Sequence, residues 1–204
     1  MGDLLLTATY YRDMYRSSVR NVDRLARVAG CMLLAELCQA QQARIRPGGL
    51  VVPLGEAPAR DPAAAAVVRD LRDEPIAQPA DKWLEYLALN GHATTLIWQR
   101  LIERGVAVER RSRWRSRGPA FTLTSVLATN WTRHYLTTVA EAHNPLPAEA
   151  VILWRALGEL QLDGHALQLP AATSDRLIAA VLPTGLVPLF NALTRSLTHL
   201  STHF

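Results

Sequence analysis

The chain has 204 residues, 49% of them hydrophobic and 20% charged, and a formal net charge of +4. That length fits one domain with a full core, and the composition excludes a disordered, collagen-like or low-complexity chain. Two cysteines exclude a disulfide scaffold and a cysteine-rich zinc module.

Residues 3–29 read as helix, with a break near Ser17 and Ser18. Residues 29–37, AGCMLLAEL, are apolar on nearly every side, which places this helix at the centre of a bundle. Cys31 and Cys38 share one face of it, two turns and about 10 Å apart, too far for a disulfide. They read as core thiols in a reducing compartment. The segment ARIRPGGLVVPL follows, with two β-prone pieces around Pro47-Gly48-Gly49, a hairpin pattern.

Asp61 before Pro62 reads as an N-cap with proline at the first helical position, opening the helix DPAAAAVVRDLRDE. Asp81 is expected to cap a helix that buries Trp83, Leu84 and Leu87 and ends at Asn90-Gly91. HATTLIWQRLIERG is a further amphipathic helix, stopped by Gly105. VAVERRSRWRSRGPAFTL alternates around a basic tip as a second hairpin. Helices are expected over 124–143, over AEAVILWRALGELQL after Pro145 and Pro147, and over 173–182 and 186–203.

No membrane span is expected, because Pro183, Gly185 and Pro188 break the longest uncharged run and a spanning helix needs about 20 apolar residues. The start, MGDLLLTATYYRD, lacks the basic region of a signal peptide. The pattern as a whole is that of a single mainly α domain spanning 1–204, with apolar central helices, amphipathic helices around them and two hairpins.

The ordered pieces DLLLTA, AGCMLLAEL with its basic hairpin, DPAAAAVVRDL, PADKWLEYLA and RLIERGVAVERR resemble the Golgi phosphoprotein 3 family over residues 3–145. The resemblance implies a compact helical domain with a projecting hairpin. In eukaryotic members that domain docks on membranes through phosphatidylinositol 4-phosphate and acts as an adaptor for glycosyltransferase tails, and its hairpin takes part in self-association. Carried over by position, the family's lipid site falls here near Arg20, on Ala29 and near Gly91 and Thr94, of which Arg20 alone is basic. Twenty-one of the 22 basic residues are arginine, a bias that a GC-rich bacterial genome, such as an actinobacterial one, produces.

Two basic patches carry the functional expectation. Arg12, Arg16, Arg20 and Arg24 recur every fourth residue, with Arg27 next and Tyr10, Tyr11 and Tyr15 interleaved. On a helix they share one face, and a basic residue near an anionic bilayer contributes about 1 kcal/mol. Residues 100–117 hold seven arginines against two glutamates, a surplus that exceeds the net charge of the whole chain. Trp114 lies between Arg113 and Arg115, a pattern that suits an interfacial anchor. The candidate lipid- or phosphate-binding residues are therefore Arg16, Arg20, Arg24, Arg27, Arg100, Arg104, Arg113, Trp114 and Arg115.

Enzyme signatures are absent: no GxSxG, P-loop or GxGxxG motif occurs. His199 and His203 have the i, i+4 spacing of a helical metal pair but no third ligand, so no metal or cofactor is expected. Asp70, Asp73 and Glu74 read as a solvated helix end. The leading reading is a cytoplasmic, peripherally membrane-associated protein that binds anionic headgroups. Its expected partners are an anionic membrane surface, a membrane-protein tail, and a second copy through a hairpin. The first alternative is a binder or enzyme for a hydrophobic small molecule, with a pocket lined by Trp83, Tyr86, Trp98 and the last helices. The second is a winged-helix nucleic-acid binder, which the apolar helix before the basic hairpin disfavours.

Overall fold

A computed structural model describes residues 1–15, 22–55, 61–110, 120–162, 164 and 166–201. Among them the chain is mainly helical, with two small antiparallel hairpins. Helix α1 spans Gly2–Tyr15 and α2 Val22–Gln39, on either side of the expected break; the break itself lies outside the described residues. Ten residues of α2 are buried, from Ala26 to Leu37. This helix is the axis of the molecule and touches α1 and five later helices: α3 (Pro62–Asp73), α4 (Ala80–Ala88), α5 (His92–Glu103), α7 (Ala148–Glu159) and α9 (Val187–Ser201). A helix enclosed by neighbours has no polar face to spare, which is why AGCMLLAEL carries one charge, Glu36.

Close packing at that axis depends on Gly30. A Cβ added there would lie 3.0 Å from the Leu87 Cβ of α4, whose side chain is fully buried. Glycine lets the two backbones approach, and a larger residue must push them apart. Cys31 and Cys38 lie in this helix as reduced thiols. Burial raises both, Cys38 to about 11, so neither is a reactive thiolate.

The first hairpin pairs β1 (Ala43–Ile45) with β2 (Val51–Pro53), and its turn uses Gly48 and Gly49 at φ of 89° and 80°. The Val51 amide donates to the Gln78 carbonyl and the Ala80 amide to the Gly49 carbonyl, which stitches this hairpin to the start of α4. The second hairpin pairs β3 (Ala107–Arg110) with β4 (Ala120–Leu123). Its α5-to-β3 corner is closed by Gly105 at φ 71°, with the Val106 amide on the Leu101 carbonyl and the Gly105 amide on the Ile102 carbonyl. Those two bonds and the left-handed glycine form the helix stop that the sequence predicts.

A short 3-10 turn (126–130) leads into α6 (Trp131–Ala142), which with α7 supports α8 (Ala171–Ala179). Asp61 caps α3 as expected: its Oδ1 accepts from the Ala64 amide at 2.9 Å, with Pro62 at the first helical position. Asp81 does not cap α4. The N-cap is Pro79, and Asp81 is the second residue of the helix, where its carboxylate accepts from the Lys82 amide at 3.0 Å. Among the described residues no single helix is long and apolar enough to cross a membrane.

Four helices meet at one buried cation. Arg100 of α5 is only 5% exposed. Its Nε donates to Asp3 of α1 at 2.6 Å, and its Nη1 to Glu36 of α2 at 2.8 Å and to Asp61 at the head of α3 at 3.3 Å. The Met1 amino group also lies 2.8 Å from Glu36. Burial alone would raise Glu36, but the amino-terminal ammonium and Arg100 outweigh it and hold its carboxyl at about 2. Burial opposes the charge on Arg100, and Glu36, Asp3 and Asp61 outweigh that too, so the guanidinium is held even more firmly charged than usual.

Removing one member of such a cluster leaves its partners buried and uncompensated. Arg100→Leu is expected to destabilise the fold by about 3–5 kcal/mol, read as a lowered thermal midpoint by circular dichroism. The folded-state pKa of Glu36 lies below its ordinary 4.5, so its contribution is present above that value and is lost as pH falls toward 2. Denaturant titrations across that window should show the wild type losing stability steadily, and Glu36→Gln starting lower and losing less. Gly30→Val should cost about 1–3 kcal/mol through overpacking against Leu87, checked by urea unfolding.

Candidate functional site

A cleft of about 770 Å³ opens where α2 begins, α4 ends and α5 begins. The corner between α4 and α5 shapes one wall. Asn90 and Gly91 both adopt left-handed backbone, at φ of 52° and 68°, and turn the chain sharply into α5. Gly91 has no side chain to cap the helix, so the first amides of α5 are left without a side-chain acceptor from their cap. The Thr94 hydroxyl instead donates back to the Gly91 carbonyl at 2.7 Å. Gly91, Thr94 and Thr95 therefore present the positive end of a 12-residue helix to the cleft.

The opposite wall comes from the first turns of α2 and carries Arg27. Its Nη1 donates to the Ser196 hydroxyl of α9, which fixes the guanidinium against the bundle. Its Nε is shielded from solvent and has no hydrogen-bond partner among the described residues. Trp98 of α5 and Phe121 of β4 close the third side as a stacked pair, with ring centroids 5.3 Å apart and planes within 12°. That stack also anchors the base of the second hairpin to α5. At the rim Val22 is 69% exposed and Leu89 64%, two aliphatic side chains left in water beside a polar cleft. Two acids line it as well, Asp23 and Glu85, and Glu85 is paired with Lys82 at 2.9 Å.

The candidate residues from the sequence divide sharply. Arg27 lines the cleft, and Arg24 lies one turn earlier on α2, half-buried. Arg16, Arg20, Arg113, Trp114 and Arg115 lie outside the described residues. Arg100 requires a correction: it is the buried hub of the four-helix cluster and faces three carboxylates, so it has no free edge for a phosphate. Arg104, 57% exposed, is drawn to Asp3 at 2.5 Å and Asp61 at 3.6 Å. Counting charge along 100–117 overstated the patch, because its neutralising acids come from positions 3, 36 and 61.

The expected hydrophobic pocket is corrected too. Trp83 and Tyr86 line one cleft and Trp98 another, so the three do not enclose a common cavity. His203 lies outside the described residues, and among those described no group of three metal-ligating side chains comes together. Thr95, Val22 and Leu89 went unmarked as functional in the sequence, and Thr94 was marked only by the family's position. The signal that points to them is Asn90-Gly91, a left-handed pair directly before a helix, which exposes that helix's amino end.

The domain is a mainly helical bundle with a cleft at a helix amino terminus, an arginine opposite and aliphatic residues at the rim. The Golgi phosphoprotein 3 (GPP34) family model matches residues 1–189, and the chain belongs to that family. No curated protein matches it.

Proposed function

We propose that the protein is a peripheral membrane protein whose cleft between α2 and α5 takes the headgroup of an anionic phospholipid. The observation that carries this reading is the meeting, in one opening, of Arg27, the uncapped amino end of α5 and two exposed aliphatic residues. A phosphate suits the helix amides and the guanidinium, whose N–H groups are donors only. Val22 and Leu89 suit the acyl boundary just beyond the headgroups. Family membership supports the same reading. Gly91 and Thr94, the positions onto which the family's lipid site falls by alignment of motifs, both line this cleft.

The chemistry is recognition without covalent change. Backbone amides at the start of α5 and the Thr95 hydroxyl take the place of the two basic side chains that the family's lipid site has in this segment, so the site depends more on fixed dipoles than on mobile charge. Long-range attraction would then come from Arg16, Arg20 and Arg24 and from the Arg113-Trp114-Arg115 tip. An adaptor role, in which the membrane-bound domain holds a protein tail, and self-association through the second hairpin both extend this reading.

Co-sedimentation with neutral and anionic vesicles at low and moderate salt tests it. Binding should be confined to anionic vesicles and should weaken as salt rises. Arg20→Glu with Arg24→Glu should reduce the affinity by roughly 30-fold, the equivalent of about 2 kcal/mol lost with two basic residues. Leu89→Ser should weaken binding in a salt-independent way, since it removes apolar contact and not charge. Equal binding to neutral vesicles, or no effect of the double charge reversal, would contradict the proposal.

A further inference from the structure

The cleft between α2 and α5 holds one charge that anion binding alone does not explain. Asp23 lines it, four positions before Arg27, so the two residues share one face of α2 and one wall of the cleft. Asp23 is exposed. Among the described residues no ion pair joins its carboxylate to Arg27 or to any other cation. A helix start favours an acid, and Asp23 serves α2 in that way. In the cleft the same charge has a second effect, because it repels whatever anion Arg27 attracts.

The attraction it opposes is modest. Arg27 brings one guanidinium, and one of its nitrogens is already given to Ser196. The amino end of α5 adds the equivalent of about half a charge. Glu85, the other acid of the cleft, is matched by Lys82 at 2.9 Å and drops out of the balance. Asp23 has no such partner, so its full charge bears on the ligand.

Ligand charge then decides what the cleft accepts. A phosphodiester carries one negative charge at neutral pH, and a phosphate monoester between about −1.5 and −2. Attraction to Arg27 and to the helix end rises in proportion to that charge. The cost of stripping water from the ligand rises as its square. Asp23 lowers the attraction and leaves the cost unchanged. A singly charged group is still held, and a doubly charged one meets the larger cost with little gain.

We infer that Asp23 is a specificity-determining residue: it restricts the cleft to singly charged phosphodiester headgroups and turns away phosphate monoesters. The inference rests on the lipid reading of this cleft and names the class of headgroup it takes. It departs from the family resemblance, which implies phosphatidylinositol 4-phosphate, a lipid that bears a monoester. The departure has the same direction at Gly91 and Thr94, two uncharged residues where the family's site has basic ones.

Two sets of vesicles test it with the full chain, one carrying phosphatidylinositol and one carrying its 4-phosphate at a mole fraction that gives the same zeta potential. At matched potential the long-range attraction is equal, so a difference in affinity reports the cleft. The wild type should bind the phosphatidylinositol vesicles more tightly, by about threefold or more. Asp23→Asn should remove that preference by gaining affinity for the 4-phosphate. Asp23→Glu, which keeps the charge, should retain it. Millimolar inorganic phosphate, a free monoester-like anion, should not displace the protein from either set. Equal or tighter binding of the wild type to the 4-phosphate, a preference that survives in Asp23→Asn or is lost in Asp23→Glu, or displacement by inorganic phosphate would each overturn the assignment and leave the lipid reading in place. Binding to neither set of vesicles would overturn the lipid reading itself, and this assignment with it.

Discussion

The internal charge cluster around Arg100 is the constraint on which the rest of the fold depends. One guanidinium, buried among α1, α2, α3 and α5, satisfies acids from three of those helices. A buried cation is tolerated only when its partners are arranged around it, so the cluster fixes the starts of α1 and α3 against the last turns of α2 and α5. Asp61 shows the economy of the arrangement. One of its oxygens accepts both the Ala64 amide, as the α3 cap, and an Arg100 N–H; the other lies near Arg104. α3 cannot shift without disturbing both the cap and the cluster.

This constraint also decides which charges are available for function. Helix α5 has two ends with opposite fates. Its carboxyl end holds Arg100 and Arg104, and both are turned onto acids. Its amino end, at the Asn90-Gly91 corner, carries no capping side chain and opens to the larger cleft. Helix α4 divides two clefts: the end bearing Leu89 borders the one at the amino end of α5, and the face bearing Trp83 borders the one at the carboxyl end of α3.

Local patterns in the sequence were enough for the elements and most of their boundaries. The apolar run at 29–37, the Asp61-Pro62 cap, the Pro47-Gly48-Gly49 turn and the Gly105 stop each act within a few residues, and each appears where the pattern places it. The charge partners were not legible. Arg100 and Asp3 are 97 positions apart, and nothing local to either marks them as a pair. The cleft at α5 was half visible: Asn90-Gly91 marked a helix end, but not the arginine of α2 that faces it.

The central claim is that the membrane lies against the face where α2 and α5 begin. Hydrogen–deuterium exchange on anionic vesicles, compared with free protein, tests it most directly. The account predicts new protection at residues 22–27 and 88–95, with none at 70–78. Protection confined to other surfaces, or none at all on vesicles that demonstrably hold the protein, would contradict it.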